Sequence, residues 1–366
     1  METTVPTLRA FRNIALALSL AAGAGMPVHA AGLKIAVVAP DGGNLQVLGD
    51  QIRLGAEFAA RGKAEIVPVG ESCAEGSGAT LAAEIVKTGA VAAIGFLCTE
   101  SLAGGLPVLA AARIPAITLS IRSDVLMQDA LKKKWPFFRL APSTGAERDA
   151  VAEAIFSHWK DKPFALLDDG TILSREMTDA VRQILEQKGM SAAFIDNFRP
   201  AQEVQTQLIR RLKKANVTHV FAASDRNDMS ILARDAKAAG IPLVFMGGDA
   251  LQGMNQPVPL EAGVLAVTLP NPATMAPARA AVELMQKDGK IPEGYVLPAY
   301  SSVEIVLDAS EIADGSGAPL ADALAGTPFS TALGTVEFGQ DHELAVNPYR
   351  MLVWDGNAFA APEDSP

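Results

Sequence analysis

Val91–Ser101 reads VAAIGFLCTES, and this stretch decides how the rest of the chain is interpreted. An uncharged apolar run there ends abruptly in a small, polar, sulfur-containing turn. Such a run predicts a strand that is covered on both faces of a parallel sheet. Thr99 stands just ahead of a helical pattern that begins near Glu100, so we predict that it caps a helix. A helix N-terminus at the carboxyl edge of a sheet is a common ligand and anion position in open α/β folds, so the turn is a candidate site as well as a cap.

Apolar runs alternate with helical patterns on both sides of this turn. In the first part of the chain the runs are LKIAVVA, AEIVPV, VAAIGF and PAITLS, and a second series after FFRLAPST contains FALLD, AAFID, THVFAA and LVFMG. Alternation of this kind predicts parallel sheets with helical crossovers, here an α/β fold with two units in tandem. Near the end of the chain, GTVEFGQDHEL and NPYRMLVWDGNAF predict two strands joined by a polar turn.

The N-terminus has the pattern of a secretory signal peptide. Arg9 and Arg12 precede an apolar run over 14–24, and Val28 and Ala30 occupy the −3 and −1 places of a cleavage site. We therefore expect residues 1–30 to be removed and the remainder to reach the periplasm. No cysteine lies near the cleavage point, so we do not expect a lipoprotein.

Composition argues against nucleic acid as a partner and for more than one domain. The chain has 31 basic and 41 acidic residues, a formal net charge of −10, whereas nucleic-acid-binding proteins present basic surfaces. Its 366 residues exceed what one hydrophobic core usually serves. We expect two domains.

The sequence lacks the motifs that would identify an enzyme. It contains no nucleophile elbow, phosphate loop, dinucleotide fingerprint or paired-histidine zinc motif, and HELAV at His342 lacks a second histidine. Serines at Ser77, Ser120 and Ser123 have no identifiable base to activate them. We predict a binding protein without enzymatic activity, metal or cofactor.

Cys73 and Cys98 are the only two cysteines of the chain. Whether such a pair forms a bridge depends on the compartment, and an exported protein meets oxidising conditions. The export signal therefore predicts a disulfide between them.

The chain resembles the periplasmic leucine/isoleucine/valine-type solute-binding proteins of ABC importers, which are type I periplasmic binding proteins. VLGDQIRLGAEFA resembles the first helix of that family, IGFLCTES its third βα turn, and LIRRLKKANVTHVFAA a helix and strand of its second lobe. The resemblance implies two doubly wound, Rossmann-like lobes joined by a three-segment hinge. It implies that lobe 1 comprises residues 31–141 and 270–341 and that lobe 2 comprises residues 142–269 and 342–366.

The same resemblance implies a disulfide that matches Cys73 and Cys98, and a set of ligand residues. The family seats an amino-acid carboxylate on positions matched by Thr99 and Ser120. The acidic residue that holds the α-ammonium is matched by Asp249 in MGGDA. Further positions of the site are matched by Arg122, where branched-chain binders have threonine, and by Leu48, Ile172 and Asp225, where pocket aromatics are expected.

Each of the charged candidates also has an ordinary structural interpretation. Arg122 is either a surface arginine or a carboxylate clamp, since its guanidinium offers a fixed fork of donors to two carboxylate oxygens. Asp249 is either a turn residue beside two glycines or a ligand residue. Asp225 is either the N-cap of the next helix or a ligand residue.

The function that these features predict is capture of a small carboxylate-bearing solute, an amino acid or a derivative with a small or polar side chain, for delivery to an inner-membrane permease and ATPase complex. We expect a monomer that contacts this complex transiently. Three alternatives stay open: a periplasmic ligand sensor of the same fold, a binder of an amine-free aliphatic or aromatic carboxylate, and a secreted hydrolase.

Overall fold

The computed structural model describes Met1 and residues 32–362. The predicted signal peptide therefore lies outside the described residues, apart from Met1. Of the helices that the structure describes, none is long and apolar enough to cross a membrane.

The first part of the chain forms a five-stranded parallel sheet flanked by helices. The strand order is β2-β1-β3-β4-β5, and every neighbouring pair is parallel. The central strands are continuous apolar runs because helices cover both faces of the sheet. In chain order the elements are β1 (Lys34–Ala39), α1 (Gln46–Ala60), β2 (Glu65–Gly70), α2 (Gly78–Thr88), β3 (Ala92–Gly95), α3 (Thr99–Ala111), β4 (Ala116–Thr118), α4 (Asp124–Lys133) and β5 (Phe137–Arg139).

The second series builds another sheet of the same kind. In chain order its elements are α5 (Ala146–His158), β6 (Phe164–Asp168), α6 (Ile172–Gln187), β7 (Phe194–Asn197), α7 (Thr206–Lys214), β8 (His219–Ala223), α8 (Arg226–Ala238), β9 (Val244–Gly247) and β10 (Leu265–Thr268). The five strands from β7 to β10 are mutually parallel in the order β7-β6-β8-β9-β10.

After β10 the chain returns to the first sheet and then comes back to the second. The remaining elements are α9 (Arg279–Lys287), α10 (Val296–Ser316), α11 (Leu320–Leu324), β11 (Pro328–Thr331), β12 (Gly334–Glu337), β13 (Arg350–Trp354) and β14 (Phe359–Ala360). Residues of α10, α11, β11 and β12 share one core with β1, β3 and β5. In that core the rings of Phe138 and Phe338 lie 5.3 Å apart.

The two strands at the end of the chain do not pair with each other, and the prediction that they form one β element was wrong. β12 pairs with β11 in a separate two-stranded sheet. β13 instead pairs antiparallel with β10 and carries β14 at the edge of the second sheet. The intervening residues cross from one sheet to the other, and a local hydrophobic pattern carries no information about such a crossing.

We use lobe 1 for the first sheet with the elements packed on it, and lobe 2 for the second sheet with its helices. Every strand of the two sheets falls within the corresponding predicted limits, and those limits remain a prediction. Three segments connect the lobes: the ones between β5 and α5, between β10 and α9, and between β12 and β13.

Arg139 ties the third of these crossings to lobe 1. Its side chain is fully buried, and its Nε donates to Glu343 Oε2 at 2.8 Å while Nη2 donates to Asp124 Oδ1 at 3.1 Å. Burial raises the pKa of Glu343, and the hydrogen bonds from Arg139 oppose that shift. Removing one partner of such a buried pair leaves an uncompensated charge, so these residues act as a structural anchor at the hinge.

Asp228 is a buried carboxyl group in lobe 2. It is 1% exposed; its Oδ1 accepts the Ala201 N–H at 2.9 Å, while its Oδ2 has no hydrogen-bond partner among the described residues. Burial raises the pKa of Asp228 to about 6; the Ala201 hydrogen bond opposes this, and the charges of Asp225 and Asp169 add to it.

We predict that Asp228→Asn makes the protein more stable at neutral pH. The folded state holds the Asp228 proton to a higher pH than the unfolded chain, so the free energy of unfolding of the wild type falls as pH rises through this window. The shift is about two pKa units, which is equivalent to at most about 3 kcal/mol. The amide cannot ionise, so its advantage over the wild type is expected to grow from pH 4 to pH 7.

Urea unfolding between pH 4 and pH 8 measures this difference. Asp161→Asn, at an exposed position before β6, is the matched control. A difference between Asp228→Asn and wild type that does not change with pH would contradict the prediction.

Candidate functional site

The loop that follows β3 closes around a buried carboxylate. Glu71 is 6% exposed, and its two oxygens accept the Leu97 N–H at 2.8 Å, the Cys98 N–H at 3.1 Å and the Ser101 hydroxyl. Burial raises the pKa of Glu71, and these hydrogen bonds oppose that shift. The anion position at the start of α3 is therefore partly filled from within the protein.

The backbone of this loop is held in an unusual conformation. Gly95 has φ +113° and Phe96 has φ +57°, and the second value costs about 1 to 2 kcal/mol for a residue with a side chain. A disulfide joins Cys73 to Cys98, with 5.2 Å between their Cα atoms. Glu71, two residues before Cys73, and the disulfide hold the loop from the same side.

Thr99 is the first residue of α3 and not its cap. Cys98 occupies the N-cap position, without a side-chain capping bond, so the prediction that Thr99 caps the helix was wrong by one residue. The helix starts earlier because the disulfide and Glu71 already constrain the two residues before Thr99. The Thr99 side chain is half-buried, and its role in ligand binding stays a prediction.

The segment after β4 carries the next two candidates. The Ser120 hydroxyl lies 3.4 Å from the Phe96 carbonyl oxygen, to which it donates, and so sits beside the β3 turn. The Arg122 side chain is exposed, and its Nη1 donates to the Tyr349 hydroxyl at 3.0 Å. The Thr144 hydroxyl donates to the Arg122 carbonyl oxygen at 2.7 Å. Arg122 thus contacts two of the three segments that connect the lobes.

Asp249 lies just after β9, where the hinge joins lobe 2. Its Oδ1 accepts hydrogen bonds from the Thr268 hydroxyl and from the Leu269 N–H, the latter at 3.3 Å. Its backbone N–H donates to Glu147 Oε1 at 2.7 Å. These contacts fix the Asp249 side chain at the end of β10, and Oδ2 accepts no hydrogen bond from the described part of the chain.

Two residues of this region were missed by the sequence reasoning. Glu147 lies in the first turn of α5. Burial and the charge of Asp249 raise the pKa of Glu147, and the hydrogen bond from the Asp249 N–H and the charge of Arg122 lower it; burial is the largest of these effects. Tyr349 is 3% exposed. Burial and the charge of Asp249 raise the pKa of Tyr349, and the charge of Arg122 lowers it. Neither has a local motif, although Tyr349 is one of only three tyrosines.

Four residues therefore form a charged cluster at the segments that connect the lobes. We call Arg122, Glu147, Asp249 and Tyr349 the hinge-base cluster. Arg122 of lobe 1 contacts the Tyr349 hydroxyl, the Asp249 N–H contacts Glu147 in lobe 2, and the two pairs lie close enough for their charges to shift one another's pKa values. The cluster can hold an anionic group on one side and a cationic group on the other.

The remaining candidates are not part of this cluster. Asp225 is the N-cap of α8, and its side chain accepts the Asp228 N–H at 2.8 Å. Leu48 lies half-buried near the start of α1, and Ile172, the first residue of α6, is 74% exposed. The ligand roles of Leu48 and Asp225 stay predictions. In the described residues there is no group of three or more His, Cys, Asp or Glu side chains that could hold a metal ion.

A cavity of about 560 Å³ lies between α4, the start of α5 and the third crossing. Its lining includes Asp124, Arg148 and Glu343 and contains none of the candidate ligand residues. It is therefore distinct from the hinge-base cluster.

Comparison with known proteins assigns the chain to a family. A family model described as periplasmic binding protein matches residues 32–358. The chain belongs to this family. The leucine-, isoleucine-, valine-, threonine- and alanine-binding protein of Pseudomonas aeruginosa is 25% identical to it over 369 residues, which cover 93% of this chain and 95% of that protein. The resemblance to Leu/Ile/Val-type binding proteins is thus confirmed.

Solved structures show the same fold for this periplasmic binding protein. A substrate-binding protein of an ABC transporter from Desulfitobacterium hafniense in complex with leucine matches with a TM-score of 0.63 at 17% identity, over 90% of this chain and 99% of that one. A solute-binding protein from Rhodopseudomonas palustris in complex with p-hydroxybenzoic acid matches with a TM-score of 0.58 at 16% identity, over 88% and 92%. The predicted type I architecture with two lobes is confirmed.

The contacts of Glu71 lead to a stability prediction for this binding protein. Glu71→Ala leaves the N–H groups of Leu97 and Cys98 without their acceptor, while the Ser101 hydroxyl keeps the Cys98 carbonyl oxygen, so we expect it to lower the free energy of unfolding by about 2 to 4 kcal/mol. Glu75→Ala removes an exposed carboxylate from the same loop and is expected to change stability by less than about 0.5 kcal/mol. Urea unfolding of the oxidised proteins compares the two, and equal stability of both variants would contradict the role of Glu71.

Proposed function

We propose that this chain is the solute-binding component of an ABC importer and captures a small carboxylate-bearing solute, an amino acid or close derivative, between its lobes. The observation that carries the proposal is the hinge-base cluster, in which the charge of Arg122 of lobe 1 acts on the Glu147 carboxylate beside Asp249 in lobe 2. The names of the Pseudomonas relative and of the Desulfitobacterium structure are consistent with it. Periplasmic location and cleavage after Ala30 are parts of the same proposal.

Arg122 suits the carboxylate of such a solute. Only its Nη1 is engaged within the described protein, by Tyr349, so its other donors are free to form a fork with two carboxylate oxygens. The hydroxyl groups of Thr99 and Ser120 lie on the same lobe; Thr99 can donate a further hydrogen bond, and Ser120 can do so by giving up its long contact with the Phe96 carbonyl oxygen. We assign these three residues to the anionic end of the ligand.

Asp249 suits the ammonium group. One of its oxygens is fixed by Thr268 and Leu269, which leaves the other oriented and without a partner in the described residues. An ammonium brings three donors and no acceptor, so it matches a preorganised carboxylate oxygen. The solute would then be held by one charge on each lobe, which couples binding to the approach of the lobes.

The solute's side chain is proposed to be small or polar. Leu48, Ile172 and Asp225 stand where pocket aromatic residues were expected, and aromatic side chains would bury far more apolar area. At about 25 cal/mol for each Å² of apolar area, their loss removes much of the driving force for a large aliphatic side chain. Asp225, if it faces the ligand beside its capping role, favours a polar group.

Calorimetry with two variants tests the proposal. Arg122→Ala and Asp249→Ala are each expected to weaken binding by roughly 2 to 5 kcal/mol, because each truncation leaves an opposite charge of the bound solute unpaired. The probe is the L-amino acid that gives the largest thermal shift with the wild type. Arg210→Ala and Asp161→Ala, both at exposed positions, are the matched controls.

The same experiment distinguishes an amino-acid ligand from the main alternative, a carboxylate without an amine. Normal binding by Asp249→Ala together with a loss in Arg122→Ala would indicate an amine-free carboxylate, such as the p-hydroxybenzoic acid of the Rhodopseudomonas structure. Normal binding by Arg122→Ala would contradict the proposed clamp.

A further inference from the structure

We infer that Glu147 is a second carboxylate of the binding site, which positions the Asp249 turn and shares the solute's ammonium group with Asp249. This inference rests on the proposed function and narrows it, because a site with two carboxylates on its cationic side selects ligands that carry an amine. Neither the family resemblance nor the sequence pattern assigned a role to Glu147.

The position of Glu147 is defined by its contact with the turn after β9. Glu147 Oε1 accepts the Asp249 N–H at 2.7 Å, so one oxygen of Glu147 is fixed by the residue whose side chain is proposed to bind the ammonium. The other oxygen accepts no hydrogen bond within the described residues. Glu147 on α5 and Asp249 in the turn after β9 are therefore neighbouring, half-buried residues, and each has one carboxylate oxygen that accepts no hydrogen bond within the described residues.

Gly248 shows how closely Glu147 approaches this turn. A Cβ built on Gly248 would overlap Glu147 Oε1, closer than real Cβ atoms approach their neighbours. Among described residues other than its chain neighbours, Glu147 is the only one that this Cβ would meet within 4 Å. The backbone of Gly248 has φ −97°, which residues with side chains also adopt, so a side chain at this position would be resisted only by the Glu147 carboxylate, which it would displace from the turn. The turn and the carboxylate are fitted to each other.

Electrostatics favours a cation between the two carboxylates. Neither Glu147 nor Asp249 forms an ion pair in the described part of the chain. The positive charge that acts on Glu147 is that of Arg122, whose fork is assigned to the solute's carboxylate. Two neighbouring carboxylates repel each other unless a proton or another cation lies between them. Burial and the charge of Asp249 raise the pKa of Glu147, while the Asp249 N–H and Arg122 lower it.

Proton linkage gives this inference a second readout. The groups that face Glu147 are Asp249 on the β9 turn, Arg122 on lobe 1 and Tyr349 on the third crossing. An ammonium stabilises the ionised form of Glu147, so affinity for an amino acid is expected to fall as pH falls into the range where Glu147 takes up a proton. An uncharged glutamine at this position removes that part of the pH dependence.

The test compares Glu147→Gln with Asp149→Asn, which removes the same charge from an exposed position of the same first helical turn. Glutamine keeps an oxygen that can accept the Asp249 N–H, so it removes the charge and preserves the positioning contact. The probes are pairs with matched side chains: L-alanine and L-lactate, L-leucine and L-2-hydroxyisocaproate, L-aspartate and L-malate. Affinities are measured by calorimetry, with competition for the weaker member of each pair.

The wild type is expected to prefer the amino acid over the hydroxy acid, and Glu147→Gln to reduce this preference by about tenfold or more, as loss of a charged partner does. Asp149→Asn is expected to keep the preference of the wild type. Glu147→Ala is expected to weaken amino-acid binding further than Glu147→Gln. Gly248→Ala alone is also expected to weaken binding, because its methyl group displaces the Glu147 carboxylate. In a protein that already carries Glu147→Ala, Gly248→Ala is expected to cause no further loss, because the clash is absent.

An unchanged preference in Glu147→Gln, with Asp249→Ala still impaired, would overturn the assignment of Glu147 and leave the proposed function intact. Equal affinities of the wild type for both members of every pair, or binding of neither member, would contradict the amine-bearing ligand of the proposed function itself.

Discussion

The Glu71 carboxylate is buried against the backbone N–H groups of Leu97 and Cys98, and this contact determines how lobe 1 can meet a ligand. A turn between a parallel strand and a helix N-terminus would otherwise be an open anion site. Here the protein supplies the anion itself, and the negative charge of Glu71 would repel a ligand carboxylate placed on the same two N–H groups. In the proposed function the positive charge for a carboxylate comes instead from a neighbouring segment, through Arg122 after β4.

The location of Arg122 connects ligand binding with the hinge. Its carbonyl oxygen accepts a hydrogen bond from Thr144 in the first crossing, and its guanidinium donates to Tyr349 in the third. Asp249 is in turn held by Thr268 and Leu269 at the start of the second crossing. The hinge-base cluster therefore contacts all three connections between the lobes. Under the proposed function, a solute that replaces or reorients these contacts would act directly on the segments that connect the lobes.

The architecture could be predicted from the sequence because it depends on local patterns. Buried parallel strands such as β1 and β8 are continuous apolar runs, and the helices between them repeat every three to four residues. The pairing of β12 and β13 could not be predicted in the same way. Their partners, β11 and β10, are decided by where the chain crosses between lobes. The short strand β5 and helix α4 were also not identified as separate elements.

The residues of the candidate site also fall into those that a local sequence pattern predicts and those that it does not. Arg122 and Asp249 could be identified because each stands next to a recognisable strand end, and the structure brings both to the hinge base. Glu71, Glu147 and Tyr349 could not, because their significance arises from contacts with residues 26 to 227 positions away in the chain. Asp225 illustrates the opposite case: a residue at an expected site position whose side chain is engaged as a helix cap.

The central claim is that the hinge-base cluster holds a solute with a carboxylate at one end and an amine at the other. Mass spectrometry of the small molecule released by denaturing protein purified from its native compartment tests this most directly. The account predicts a compound of low mass that contains both groups and has a small or polar remainder. Recovery of an amine-free acid, or of a neutral solute such as a sugar, would contradict it.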